Sequence, residues 1–123
     1  MNIVPLTLFT WIHICHIFTD TYRLIVDGNE LYRNELRKEQ RKLYTNGIMI
    51  LGQEQEFLGG GFSKSESFHG YLQYFDIWSK SLDESSIKKL VKGDKAKGDF
   101  FSTNTFNLDL VNVDVVDISF EYE

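Results

Sequence analysis

The stretch that decides the fold is residues 11–28, WIHICHIFTDTYRLIVDG. Its two halves are dominated by β-branched, aromatic and other apolar side chains, and both are too short for a surface helix. We therefore predict strands over residues 11–18 and 22–26. Asp27-Gly28 is a dipeptide that readily supplies the positive φ angles of a hairpin turn, so we expect the chain to reverse there.

The composition agrees with a strand-rich fold. The 123 residues include ten Phe, six Tyr, two Trp and a single Pro, and aromatic side chains suit a half-buried pleated surface. Apolar residues make up 42% and charged residues 25%, which excludes a disordered chain of low hydrophobicity. A chain of this length holds one core and not two.

Further strands are predicted on both sides of the hairpin. They cover residues 6–9, residues 48–51 after the turn signal Asn46-Gly47, and the long aromatic stretch 68–78, which we expect to be central to a sheet. Beyond residue 98, residues 108–122 alternate in shifting phases, which requires turns or bulges. Asn112 is the expected turn residue there.

One short helix is predicted at about residues 83–92. Asp83 is a good N-cap, an apolar stripe follows at helical spacing, and Gly93 is a natural end. Residues 30–43 carry basic and acidic side chains in alternation. We interpret them as a solvated charged loop or short strand, because interspersed carboxylates cancel the field of a basic binding patch.

The charge and the motifs exclude several classes of protein. A net charge of −5 has the wrong sign for nucleic-acid binding, and no apolar run reaches the roughly 20 residues of a membrane span. Residues 3–15 lack the basic start and cleavage site of a signal peptide, so we expect mature, folded sequence there. The motifs of nucleotide-binding enzymes and hydrolases do not occur, and we expect no catalytic activity.

The cluster His13, Cys15 and His16 invites a zinc site or a thiol nucleophile. On a strand, His13 and Cys15 share one face and His16 points to the other, so the three side chains do not converge. We therefore predict a structural role for them. Cys15 is the single cysteine and has no disulfide partner in this chain.

The polar segment 52–67 is the strongest candidate for a binding site. Glu54, Glu56 and Glu66 offer carboxylates, Gln55 offers a carbonyl, and the glycines at 59–61 let the chain fold back tightly. Calcium prefers six to eight such oxygens from a flexible cage. From spacing alone, a solvated acidic loop remains the alternative.

Four sequence elements together resemble the pentraxin family. They are ILGQEQE at 50–56, GGGF at 59–62, SFHG at 67–70 and IW at 77–78. The stretch WIHIC at 11–15 is similar to the Trp-x-His-x-Cys strand of the same domain. The resemblance covers nearly the whole chain in order and at similar spacing.

The resemblance implies an all-β, antiparallel two-sheet jelly-roll sandwich of pentraxin or laminin-G-like type, with one short helix. It further implies that residues 1–123 form the C-terminal part of the domain, truncated at the N-terminus, with the calcium loop at 52–67. The first strands, the usual disulfide partner of Cys15 and an Asp-Asn pair of calcium ligands would then be missing. The apolar faces left uncovered favour association of copies into a homo-oligomer.

The resemblance also implies a set of calcium ligands. Glu54 corresponds to the carboxylate that bridges two ions, Gln55 to a main-chain carbonyl ligand, and Glu56 to a position usually held by Asp. Glu66 stands at the place of a Gln ligand and Ser63 at that of an acidic ligand. The loss of a carboxylate at Ser63 weakens the expected site, and Glu66 partly offsets that loss.

The function expected from the resemblance is calcium-dependent recognition outside the cell. Such a lectin-like, secreted module of innate immunity binds phosphate-bearing or other anionic ligands through the bound calcium. Two alternatives stay open. They are a non-binding truncated remnant or isoform, and a laminin-G-like adhesion module that lacks the Gly-Gln-Glu-Gln loop.

Overall fold

The computed structural model of the protein describes residues 9–103. Five strands and one α-helix occur within this range, together with two short 3₁₀ turns at Lys38–Arg41 and Lys64–Glu66. In chain order the elements are β1 (Ile14–Phe18), β2 (Thr21–Val26), β3 (Asn29–Glu35), β4 (Asp76–Ile77), α1 (Glu84–Val91) and β5 (Phe101–Ser102). All strand pairing in this range is antiparallel, which agrees with the predicted antiparallel all-β fold.

The predicted hairpin signal at Asp27-Gly28 is confirmed. Strands β1, β2 and β3 form one sheet in that order, with Ile14 opposite Val26 in the first pair. Asp27 has a φ of 48° and Gly28 a φ of 82°, so both central residues of the β2–β3 turn lie in the left-handed region. This backbone matches the right-handed twist of the flanking strands and closes the hairpin in two residues.

The core lies between this sheet and α1. Ile17 of β1 and Ile25 of β2 point to the same face, and Ile87 of the helix packs on them. Ile25 and Ile87 are each 1% exposed. Cys15 and Leu82 lie at the margin of this cluster, so Cys15 takes a structural position beside the core.

The opposite face of the sheet is open and aromatic. The His16 Nδ1 atom lies 2.8 Å from the Tyr22 hydroxyl, and the Tyr22 ring is 5.0 Å from that of Phe18 and 5.9 Å from that of Tyr32. Phe18 remains 69% exposed. Cys15 and His16 therefore project to opposite faces, as the strand period predicts.

The predicted helix is present and carries the expected caps. A carboxylate oxygen of Asp83 accepts a hydrogen bond of 2.7 Å from the Ser86 N–H. At the other end the Gly93 N–H donates to the Leu90 carbonyl at 2.9 Å, and Gly93 has a φ of 94°. These two contacts satisfy backbone groups that a helix end leaves free.

Arg23 is the centre of an ion-pair network that connects α1 to the sheet. Arg23 of β2 donates to Glu30 of β3 and to Glu84 of α1, both at 2.6 Å, and Arg33 donates to Glu30 at 2.7 Å. The hydrogen bonds from Arg33 and then Arg23 lower the pKa of Glu30 to about 2. Glu84 and Arg23 are distant in sequence, so this link follows from the fold and not from a local pattern.

Two strand predictions are wrong. Residues 48–51 form no strand, and within residues 68–78 the strand covers Asp76–Ile77 alone. The aromatic side chains there recur about every three residues, which does not match the two-residue period of a strand. Tyr74 has a φ of 53°, which breaks an extended run, and Ile48 is 50% exposed and lies in no sheet.

The predicted charged segment at 30–43 divides into two parts. Its first part continues β3, and a 3₁₀ turn at Lys38–Arg41 follows. The strand predicted at 11–18 begins at Ile14. Residues 6–8 and the predicted strands and turn at 108–122, including Asn112, lie outside the described residues. Within residues 9–103, no helix is long and apolar enough to cross a membrane.

Candidate functional site

The glycine-rich loop, residues 52–68, is closed at its neck. Gln53 and Ser67 form an isolated antiparallel bridge, and the Phe68 N–H donates to the Gly52 carbonyl at 2.8 Å. The Gln53 side-chain amide donates to the Ser63 carbonyl at 3.2 Å and also contacts the Ser67 hydroxyl. Backbone hydrogen bonding at the neck and the side chain of Gln53 thus hold the two arms of the loop together.

A second glutamine holds the tip of the loop. The Gln55 side-chain N–H donates to the Ile48 carbonyl at 2.8 Å, and its side-chain oxygen accepts from the Gly59 N–H at 2.7 Å. Phe57 and Gly60 form a second bridge. Both polar atoms of the Gln55 side chain are thus occupied by hydrogen bonds within the protein.

Gly61 shows why the tip is rich in glycine. Its φ is 78°, and an added Cβ atom would lie 2.4 Å from the Cβ atom of Glu56. Side chains are excluded by both the backbone conformation and this close approach. The tight reversal predicted from the three consecutive glycines is present.

The structure presents the predicted carboxylates on the surface of this loop. Glu54 directly follows Gln53 and Glu66 directly precedes Ser67, so these two residues come next along the two arms from the neck bridge. Glu54, Glu56 and Glu66 are all exposed. Within residues 9–103, the His, Cys, Asp and Glu side chains form no group of three or more arranged to hold a metal ion.

Ser63 also belongs to the closed loop. Its hydroxyl lies 2.8 Å from the Ser65 hydroxyl, and its carbonyl accepts hydrogen bonds from Gln53 and, at 3.2 Å, from the Ser67 hydroxyl. The Ser63 backbone is therefore fixed close to the neck. A longer acidic side chain at this position would therefore extend from a fixed backbone position in the loop.

Sequence reasoning missed the role of Gln53. Its amide nitrogen is engaged at the neck, while its side-chain oxygen is buried and has no hydrogen-bond partner in the described part of the chain. An unpaired buried carbonyl oxygen is costly. The sequence did contain a signal for this role, because Gln53 stands immediately before Glu54 and side-chain amides commonly fix loop backbones through hydrogen bonds.

His13 and Cys15 do not extend the candidate site. Burial is the main cause that lowers the pKa of His13 and raises the pKa of the Cys15 thiol. A thiol with a raised pKa is a weaker nucleophile at neutral pH because less thiolate is present. Both residues thus fit the structural role predicted for them.

The chain is similar in sequence to known proteins of one family. The sequence matches the Pentaxin family over residues 2–120. It is 36% identical to human Pentraxin-4 over 86 residues, which cover 68% of this chain and 18% of that protein. Neuronal pentraxin-1 of Rattus norvegicus is 32% identical over 84 residues, or 66% of this chain and 19% of the relative.

A third relative matches a longer part of this chain. The Pentraxin fusion protein of Xenopus laevis is 30% identical over 105 residues, which cover 79% of this chain and 24% of that protein. The matched segments therefore span about a fifth of the length of these curated relatives. The antiparallel sheets and single α-helix of residues 9–103 are consistent with a pentraxin β-sandwich. The chain belongs to the pentaxin family.

Proposed function

We propose that the chain is a calcium-dependent recognition module of pentraxin type, which binds phosphate-bearing or other anionic ligands through bound calcium. The observation that carries this proposal is the glycine-rich loop. Hydrogen bonds close its neck and its tip, while the carboxylates of Glu54, Glu56 and Glu66 stay exposed. A preformed loop with free carboxylates lowers the ordering cost of ion binding.

The donor set suits calcium better than a transition metal. Glu54, Glu56 and Glu66 supply hard carboxylate oxygens, and Gln55 supplies a main-chain carbonyl. No cysteine or histidine lies between positions 52 and 68. We assign Glu54 the central role because it directly follows Gln53 of the neck bridge, while Glu66 directly precedes Ser67 on the other arm.

The unpaired side-chain oxygen of Gln53 is a second observation that supports the proposal. A buried carbonyl oxygen without a partner favours a nearby positive charge. Gln53 directly precedes Glu54, so an ion bound at the neck would reduce this cost. Ser63 supplies a hydroxyl where the family has a carboxylate, so we expect one weak site.

We further propose a class of ligand, a location outside the cell and self-association of the chain. A calcium ion that keeps open coordination positions attracts phosphate or carboxylate groups, which an acidic protein would otherwise repel. Membership of the pentaxin family supports action outside the cell and binding instead of catalysis. The open face with Phe18 69% exposed supports association with further copies of the chain.

Calcium titration calorimetry tests the proposal. We expect one site with a dissociation constant of about 10⁻⁴ to 10⁻³ M, the range of weak extracellular modules. Glu54→Gln should abolish binding, because it removes the central carboxylate. Ser63→Asp should strengthen binding, because it restores a carboxylate in the loop.

The matched control is Glu39→Gln. Glu39 is exposed and lies in the 3₁₀ turn Lys38–Arg41, outside the glycine-rich loop, so its loss removes the same charge elsewhere. Calcium affinity should be unchanged in this variant. Unchanged binding in Glu54→Gln, or no gain in Ser63→Asp, would mean that the glycine-rich loop is not the calcium site, and no binding by the parent chain would favour the non-binding remnant.

A further inference from the structure

The outer face of α1 carries a stripe of lysines. Ser85, Lys88, Lys89 and Lys92 follow the spacing i, i+3, i+4, i+7 and line a shallow groove of about 440 Å³. The opposite face of the helix buries Ile87 in the core. The orientation of the helix is therefore fixed by packing, and the lysine stripe must face outward.

The lysine stripe continues beyond the helix. Lys95 and Lys97 follow in the connector to β5, so five lysines stand within positions 88–97 with one acidic residue, Asp94. All five are exposed. By contrast, the charged segment at 30–43 mixes both signs and cancels its own field. Within positions 88–97 a single carboxylate, Asp94, accompanies five lysines, so the segment itself cancels little of their charge.

These lysines make no ion pair in the described part of the chain. The four ion pairs found there are made by Arg23, Arg33 and Arg41. The nearest acidic residues in sequence are Asp83 and Glu84 at the start of α1 and Asp94 after its end, and Glu84 pairs with Arg23. Five exposed lysines thus lie on or just after α1, although the net charge of the chain is −5.

Helix stability explains part of the pattern. Lys88 and Lys89 lie in the last turn of α1, where cations interact favourably with the partial negative charge of the helix end. That effect falls off within one turn and does not account for Lys95 and Lys97. The positive charge extends further than the helix dipole requires.

We propose that the lysine stripe, residues 85–97, binds a linear sulfated polysaccharide without calcium. Single exposed lysine contacts are weak, so a ligand must engage several at once. A sulfated polysaccharide repeats its negative groups along an extended chain, which fits lysines that span about 6 Å along the helix from Lys88 to Lys92 and continue in the connector.

The side chains of the stripe favour this ligand over other polyanions. Positions 85–97 contain no aromatic residue on which a nucleic-acid base would stack. Ile87 is buried and Leu90 and Val91 are half-buried on the inner face, which removes the apolar residues that a helix inserts into a membrane. The groove therefore presents lysine charges and the Ser85 hydroxyl to a ligand.

Binding of a heparin oligosaccharide to the full chain in EDTA tests the proposal separately from the calcium loop. The variant Lys88→Gln, Lys89→Gln, Lys92→Gln should weaken binding about 100-fold near physiological salt, at roughly fivefold per lysine. The slope of log affinity against log salt should become shallower by about two to three. The variant Glu54→Gln should bind heparin like the parent chain.

A second triple variant is the matched control. Lys38→Gln, Lys42→Gln, Lys64→Gln removes the same charge from exposed lysines outside the stripe, so its heparin affinity should fall by less than threefold. An equal loss in both triple variants, or no binding by the parent chain, would overturn the proposal. Equal affinity for a single-stranded oligonucleotide of the same charge would overturn the assignment to a polysaccharide.

Discussion

The sheet–helix unit, formed by β1, β2, β3 and α1, and the glycine-rich loop are ordered by different forces. The sheet–helix unit buries Ile17, Ile25 and Ile87 between two elements distant in sequence. No residue of the glycine-rich loop is buried, and Phe57 and Phe62 within it are 67% and 50% exposed. It is held by the amides of two glutamines and by tight glycine turns.

This difference separates stability from recognition. Apolar burial supplies most of the favourable free energy of folding, so the sheet–helix unit should govern the stability of the described part. The glycine-rich loop contributes local hydrogen bonds and leaves its carboxylates free. Substitutions in the two regions should therefore affect different measurements.

Ile87→Ala should have the largest effect on stability. Ile87 is 1% exposed and packs α1 against Ile17 of β1 and Ile25 of β2, so its truncation removes apolar contacts and leaves a cavity. We expect a loss of about 2–5 kcal/mol in the free energy of unfolding, measured by urea denaturation. Ser85→Ala, on the exposed face of the same helix, should change it by less than about 0.5 kcal/mol. Similar losses in both variants would mean that α1 does not pack as described.

The sequence predicts local features of both regions well. Asp27-Gly28 and the caps Asp83 and Gly93 act through a few adjacent residues, so a single sequence suffices to find them. The Arg23–Glu84 pair joins residues 61 positions apart and depends on the tertiary fold. The hydrogen bonds of Gln53 could not be predicted from the sequence either, because they depend on how the glycine-rich loop closes.

The error at residues 68–78 has a physical cause as well. Aromatic content favours strands where the side chains alternate between two faces, and here they recur about every third residue. Tyr74, with its φ of 53°, shows that the backbone follows neither a strand nor a helix at that point. Composition alone therefore overestimated the extent of the sheet.

Gly61→Ala should disturb the glycine-rich loop more than the rest of the chain. An alanine at a φ of 78° is strained by about 1–3 kcal/mol, and its Cβ atom would also meet Glu56 at 2.4 Å. We expect faster hydrogen exchange at the Glu56, Gly60 and Phe68 amides. In the control Gly47→Ala the added Cβ atom has nothing within 4 Å, so exchange should not change. Equal exchange rates in both variants would contradict the described loop.

Asp83→Ala should destabilise the sheet–helix unit by less than Ile87→Ala. The hydrogen bond that the Ser86 N–H donates to Asp83 lowers the pKa of this carboxyl and caps the helix. We expect thermal unfolding a few degrees lower at neutral pH. Asp94→Ala removes the same charge after the helix end and should have no comparable effect. An unchanged unfolding temperature in Asp83→Ala would mean that the cap contributes nothing.

The smallest effect we expect is a dependence of stability on acid pH that Glu30 causes. Its pKa is lowered from 4.5 to about 2, chiefly by the hydrogen bond from Arg33 and then by that from Arg23. A lowered pKa in the folded state stabilises the fold above pH 4.5, and this contribution is lost as the pH falls from 4.5 toward 2. Glu30→Gln should flatten the fall of the unfolding temperature across this window. Glu35→Gln, an exposed change in the same strand, should leave it unchanged. A pH profile of Glu30→Gln with the full slope of the parent chain would show that this ion pair does not couple folding to protonation.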